Sequence, residues 1–245
     1  MISAIGVVVP AHDEAEFIGP CLQALSCALA ELPARIDRAV CVVADRCSDN
    51  TAEIARRAFN GWHAGLVSEA GAASSIGEVR DLGMRRVRSI LQGHDDTQIL
   101  LLCTDADTIV ASDWACRHVG RAVQGSHAIA GFAELDGPAS PLSRAPLTPE
   151  AQLRYNQVLA DARRPEGHGN IYGANLGVRA DAYTSVGGFR PLSTGEDRDL
   201  WCRLGQAGYR LCYAADTLVT TSARLHGRAT GGLADLLRSL ENGAT

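Results

Sequence analysis

An α/β fold built on a mostly parallel central sheet, with helices on both faces, is what this sequence predicts, and three observations carry the prediction. Short apolar runs alternate with segments of helical period, the runs lack the in-and-out alternation of a half-exposed strand, and carboxylates follow the ends of three of them. Strands that are apolar throughout need cover on both faces, and a helix after each strand supplies it.

The elements follow in order. Residues 4–10, AIGVVVP, read as a buried strand, and Phe17, Ile18, Cys21, Leu22, Leu25, Leu29 and Leu32 then recur at helical spacing, with Pro20 in the first turn. Residues 39–44, AVCVVA, read as a second strand, after which Ser48 or Asp49 is placed to cap a helix through Thr51, Ile54, Ala55 and Ala58. Residues 65–68 make a weak third strand before a helix over 76–91, and 98–103, QILLLC, make the fourth and most hydrophobic. Past Leu135 the character changes, because DGPASPLSRAPLTPE holds four of the nine prolines and reads as a connection. Beyond it lie a helix over 150–164, the glycine-rich stretch GHGNIYGANLGV, a helix over 196–206, a strand over 209–214 and an arginine- and glycine-rich tail.

Composition narrows the partners. At 245 residues and 46% hydrophobic content the chain can bury a large core. A net charge of −5 and a pI near 5.8 give no basic footprint, which argues against nucleic acid or an anionic membrane as the main partner. All 23 basic residues are arginine, so a lysine nucleophile, Schiff base or Walker-type phosphate lysine is excluded. Genomic base composition, rather than selection, is the plainer reading of that bias, and the exclusion holds on either reading. Eight cysteines without a CxxC pair read as reduced thiols of a cytoplasmic protein. The first residues lack a basic leader, and no stretch approaches the roughly 18 apolar residues of a membrane span, so no transmembrane segment is expected.

Open parallel sheets bind ligands outside the carboxyl ends of their strands, which directs attention to residues 12–14, Asp45 and residues 105–107. In extended chain Asp105 and Asp107 point the same way, an arrangement that suits a hard divalent cation taking oxygen ligands. Alone, a D-x-D reads more readily as a strand end leading into a helix. DADT also matches the D-x-D-x-T of haloacid-dehalogenase-type phosphatases, but those place the motif near the start of their fold and need a downstream lysine. Here it follows three βα units in a lysine-free chain.

The combination is more specific than any piece. VVVPAHDEAEFIGPCLQAL, VCVVADRCSDNTAEIA, IGEVRDLG, LLLCTDADT, GANLGVRADAYTSVGGF and GEDRDLWCRLGQAGYRL occur in this order, and together they resemble family 2 glycosyltransferases of the GT-A (Rossmann-like) fold, which use nucleotide-diphosphate sugars. The resemblance runs from Val7 to about Gly231. It implies a single GT-A domain over 1–245, with 1–135 as the nucleotide-sugar-binding half and 136–245 as the acceptor-binding and catalytic-base half.

Carried over position by position, the resemblance places Pro10, Ala11 and Glu14 along the nucleotide pocket, with Glu14 near the ribose, and Asp45 on the base. The second motif departs from pattern, since Ala44 replaces an Asp, and Arg46 and Cys47 stand where Gly and Ser are usual. Arg80 is expected near the donor phosphates, where a guanidinium can fork onto oxygens, and Gly77 at a close approach of backbone to ligand. Asp105 and Asp107 are expected to hold Mg2+ or Mn2+ against the diphosphate, Asp107 most directly. Glu196 and Asp197 match the pair that supplies the general base, Asp197 preferred. Asn175 is expected as an acceptor contact. Trp201 lies on an apolar helix face and reads mainly as packing, its indole N–H being free to reach the acceptor. His226 falls where relatives supply a metal ligand or diphosphate contact, flanked by Arg224 and by Arg228, a comparable phosphate candidate.

The function expected is therefore metal-dependent, inverting transfer of a sugar from a nucleotide-diphosphate donor, a UDP-sugar by family frequency, to a hydroxyl of a small or soluble acceptor. A catalytically idle nucleotide-sugar-binding protein of the same fold is the first alternative and the phosphatase the second. A homodimer is left open, and neither the sugar nor the acceptor is named by the sequence.

Overall fold

The computed structural model describes residues 1–60, 62, 65–71, 75–137, 140, 142, 147–164, 167–227 and 231–243. Its first half repeats one unit. Strand β1 (Ala4–Ala11) leads to α1 (Ile18–Ala30), β2 (Asp37–Ala44) to α2 (Thr51–Ala58), β3 (Gly65–Glu69) to α3 (Ile76–Ile90), and β4 (Ile99–Cys103) follows after a 3-10 turn. The pairs β3·β2, β2·β1 and β1·β4 are all parallel.

Alternation of side chains divides each strand between two cores. Val7, Val9, Val40, Val42, Leu100 and Leu102 pack under α1 and α2, while Val8, Cys41, Val43 and Leu101 pack under α3. Each strand is thus apolar on both faces, as a doubly covered sheet requires. Helix α3 opens on a capping box: the Ser75 hydroxyl accepts from the Glu78 amide, and the Glu78 carboxylate accepts from the Ser75 amide. At α2 the Thr51 amide donates to Asp49 Oδ1 at 2.9 Å.

The second half enters the same sheet. After β5 (Thr108–Val110), α4 (Trp114–Val123), β6 (Ala128–Leu135), α5 (Pro149–Asp161) and the short hairpin β7 (Arg163–Arg164) and β8 (Gly167–His168), strand β9 (Leu176–Arg179) inserts antiparallel between β4 and β6. Helices α6 (Ala180–Ser185) and α7 (Glu196–Gln206), strand β10 (Leu211–Thr221) and α8 (Leu233–Glu241) complete the chain. The order across the eight-stranded sheet is β3-β2-β1-β4-β9-β6-β10-β5. Strands β10 and β6 are parallel, β10 and β5 antiparallel, and a bulge interrupts β10 between Ala214 and Leu218. That bulge carries the last strand seven residues beyond the 209–214 run expected from sequence. Strands β6 and β9 were not expected at all. Helix α5 ends at Asp161, three residues short of the expected boundary.

Candidate active site

The site is built at the carboxyl ends of β1, β2 and β4 and at the start of α7. Asp105 and Asp107 lie in the turn between β4 and β5, which the Thr108 amide closes on the Asp105 carbonyl at 3.2 Å. The Asp107 carbonyl in turn accepts from the Ser222 amide at 3.0 Å, tying this turn to the end of β10.

Two guanidiniums, Arg80 buried and Arg224 half-buried, organise the carboxylates. Arg80, 4% exposed on the inner face of α3, donates from Nη2 to Asp105 Oδ1 at 2.8 Å, from Nε to Glu196 Oε1 at 3.0 Å and from Nη1 to the Gly173 carbonyl at 3.2 Å. A Cβ at Gly173 would sit 2.4 Å from Arg80 Nη2, so glycine is required there for the guanidinium to fit. The Gly173 amide donates to Asp197 Oδ2 at 2.8 Å, which links Asp197 to the Asp105 turn through Gly173 and Arg80. Arg224 forks onto Glu14 at 2.7 and 2.8 Å, reaches Asp107 Oδ2 at 2.9 Å and lies 5.5 Å above the Phe17 ring. In the sequence Arg224 stands out only as a neighbour of His226, and three residues past β10 it carries no local sign of its partners Glu14 and Asp107.

Burial shapes the charges. The Asp107 carboxyl is pushed up to about 7, first by desolvation and then by Asp105 and Glu14, against the pull of Arg224. Burial raises Glu196 as well, with Arg80 opposing. Arg80 is held well above its ordinary value because the Asp105, Glu196 and Asp197 charges outweigh desolvation. Glu196 is buried, whereas Asp197 is half-exposed and keeps its other oxygen on the Arg198 amide at 2.6 Å.

On the nucleotide side, Pro10 and Ala11 end β1 beside Val43 and Ala44. The Asp45 amide donates to the Ala11 carbonyl at 2.8 Å, and both Asp45 carboxylate oxygens accept from Arg46, at 2.9 and 2.8 Å. Arg46 holds φ 47° and Asp13 φ 52°. A left-handed backbone is one that glycine adopts without steric cost, and here Arg46 adopts it while forking onto Asp45.

Several expected contacts are otherwise engaged. Arg80 gives its guanidinium to protein groups rather than facing open space. Asn175 is fully buried: its Oδ1 accepts from Trp114 Nε1 at 2.9 Å and His118 Nε2 at 3.1 Å, and its Nδ2 donates to the Phe132 and Thr217 carbonyls. An amide with that many partners joins β6, β9 and β10 and has nothing left for an acceptor. Trp201 is packed in the core beneath α7, its indole N–H donating to the Tyr213 hydroxyl at 3.0 Å. Gly77 approaches backbone rather than a ligand, since a Cβ there would lie 1.9 Å from the Arg190 carbonyl oxygen. His226 is exposed beyond Arg224, and Arg228 lies outside the described residues.

For a divalent cation the donor set is hard oxygen throughout, which fits Mg2+ or Mn2+. One oxygen each of Asp105 and Asp107 stands outside the ion pairs above. Glu14, Asp105, Asp107, Glu196 and Asp197 set five carboxylates against the two guanidiniums of Arg80 and Arg224, a local excess of negative charge that a cation would offset.

A mostly parallel sheet of this order, with carboxylates converging at its strand ends, is the GT-A fold of nucleotide-sugar-dependent glycosyltransferases. The chain belongs to the glycosyltransferase-like family 2, whose family model matches residues 3–234. A comparison with curated protein sequences gives no match. Among solved structures, the mannosyltransferase PcManGT from Pyrobaculum calidifontis, in complex with GDP-Man and Mn2+, is similar with a TM-score of 0.65 and 16% identity over 96% of this chain and 69% of that one. TarS 1-349 of S. aureus, in complex with UDP-GlcNAc, gives 0.63 and 15% over 97% of this chain and 65% of that one. Glucosyl-3-phosphoglycerate synthase from Mycobacterium tuberculosis, with Mg2+ and UDP, gives 0.57 and 16% over 99% and 80%. This chain thus spans less than two thirds of the TarS fragment. Among the described residues no helix is long and apolar enough to cross a membrane.

Proposed function

We propose that this chain is a metal-dependent, inverting glycosyltransferase that moves a sugar from a nucleoside-diphosphate donor, a UDP-sugar in the first instance, to an acceptor hydroxyl. The observation that carries the reading is the excess of carboxylates around Arg80 and Arg224 at the strand ends. Family membership and the nucleotide and metal ligands of the solved relatives support it.

On this reading Asp107 and Asp105 hold Mn2+ or Mg2+, which when bound supplies positive charge against the departing diphosphate. Pro10, Ala11, Glu14 and Asp45 border the nucleotide. Arg80 works from behind: it fixes Asp105 on one side and Glu196 on the other, so that the donor and acceptor sides keep a set spacing. Asp197 is the general base, since its half-exposed carboxylate stands at the start of α7 while Glu196 is committed to Arg80. Residues 1–135 serve the donor and 136–245 the acceptor, with β9 and β10 placing the second half inside the common sheet.

Thermal-shift measurements with UDP-, GDP- and dTDP-sugars, each with and without Mn2+, test the reading, because a ligand that binds the folded state raises its melting temperature. Stabilisation by one nucleotide class that depends on Mn2+ is expected. No stabilisation by any of them would overturn it.

A further inference from the structure

Successive residues of an extended chain point to opposite sides, yet Asp45 and Arg46 grip one another. Asp45 Oδ1 accepts from Arg46 Nε at 2.9 Å and Oδ2 from Nη2 at 2.8 Å. The left-handed backbone of Arg46, at φ 47°, breaks the alternation just past the end of β2. The Asp45 side chain is only 12% exposed and that of Arg46 55%, so the guanidinium covers the carboxylate on its solvent side.

The turn does not need that fork to hold its shape. The Asp45 amide donates to the Ala11 carbonyl at 2.8 Å, and the Asp45 carbonyl accepts from His12 Nδ1 at 2.5 Å. Asp13 accepts from the Ser48 amide at 2.6 Å and the Asp49 amide at 3.3 Å, while Asp49 Oδ2 accepts from the Ala15 amide at 3.0 Å. These bonds lace the turn after β2 to the turn after β1, and the Arg46 side chain takes part in none of them. What the fork does is occupy both oxygens of Asp45 at the carboxyl end of the strand.

The consequence is chemical. A carboxylate can only accept, so a free Asp45 would favour a base that offers a ring N–H, such as uracil at N3, and would repel the N3 lone pair of cytosine. The uracil N–H is a neutral donor, however, and Arg46 is a charged one that already holds both oxygens. Charge-assisted hydrogen bonds are roughly twice as strong as neutral ones, so the guanidinium keeps the carboxylate. Its own N–H groups are meanwhile compatible with the cytosine lone pair. The fork thus works against the choice of base that Asp45 alone would make.

We infer that Arg46 is a specificity-determining residue of the nucleotide site, which competes with the base for Asp45 and so weakens selection for uracil over cytosine. The inference rests on the transferase reading above, in which Asp45 borders the nucleotide, and adds what limits its choice of base.

Isothermal titration of UDP and CDP in the presence of Mn2+ tests it, on the wild-type chain and on Arg46→Gly. The two nucleotides share ribose and diphosphate, so their affinity ratio isolates the base, and a merely structural effect of the variant would weaken both together. Glycine adopts the left-handed backbone freely and releases Asp45. The ratio of UDP to CDP affinity is expected to rise at least about fivefold over wild type, in keeping with one hydrogen bond to a charged acceptor. In Arg46→Gly/Asp45→Asn the gain should vanish, because an amide can turn either a donor or an acceptor to the ring. Should Arg46→Gly fail to fold, Arg46→Asn takes its place, asparagine also tolerating this backbone. A smaller rise, no rise, a fall, or a gain that survives in the double variant would overturn the assignment. If both proteins bind UDP and the ratio is unmoved, only Arg46 loses its role; if neither binds either nucleotide, the transferase reading falls and this inference with it.

Discussion

Arg80 and Glu196 stand 116 residues apart in the chain and meet at 3.0 Å, both almost wholly buried, with Asp105 on the other arm of the same guanidinium. One side chain of α3 thus fixes the turn after β4 relative to the start of α7. Removing one partner from a buried ion pair leaves an uncompensated charge, at roughly 3–5 kcal/mol. Arg80→Met is therefore expected to lower the melting temperature by roughly 6–20 °C. Arg80→Lys, which keeps charge but loses the fork, should restore only part of that, as calorimetry would register; a variant as stable as wild type would remove Arg80 from this role.

Asp197→Asn should separate binding from turnover. The amide retains the shape of the side chain but cannot take a proton, so kcat is expected to fall about 10²–10⁴-fold while donor affinity stays near wild type. Steady-state kinetics and donor titration read the two effects. Near-normal turnover in this variant would transfer the role to Glu196.

Arg224→Gln bears on cation affinity. Arg224 occupies Asp107 Oδ2 and adds positive charge beside it, so it opposes a divalent cation both by contact and by field. The variant should bind Mn2+ about tenfold more tightly in the absence of donor, measured by titration of free Mn2+ by electron paramagnetic resonance. Unchanged or weaker affinity would mean that Arg224 does not compete for that carboxylate.

Asp107 should also leave a mark on stability. Its carboxyl rises from an ordinary 3.8 to about 7 in the fold, so the folded state binds the extra proton in between. Stability from this group is then full below about 3.8 and is lost as pH climbs through about 7. Asp107→Asn removes the buried charge, so without metal it should raise the melting temperature at pH 8 and do so less at pH 5. A benefit independent of pH would contradict the burial argument.

The first half of the fold was legible because each βα unit announces itself locally: unbroken apolar runs in β1, β4 and β2 from Ala39 onward, then helical spacing in α1 and α3. Strand β9 was not, since four residues with the sequence LGVR carry no period, and only pairing with β4 and β6 makes them a strand. The site divides the same way. Asp105, Asp107, Glu196 and Asp197 stand in recognisable motifs, but what neutralises them comes from far away, Arg224 meeting Glu14 across 210 residues. Asn175 looked like a ligand contact because it sits among glycines. Its burial between three strands follows from tertiary packing alone.

The central claim is that the Asp105–Asp107 turn holds the cation on which sugar transfer depends. Asp107→Ala, assayed for Mn2+-dependent release of nucleoside diphosphate with donor and acceptor present, tests it most directly. Loss of the Mn2+-dependent activity, with a folded chain by circular dichroism, is the result predicted; full Mn2+-dependent activity in that variant would contradict it.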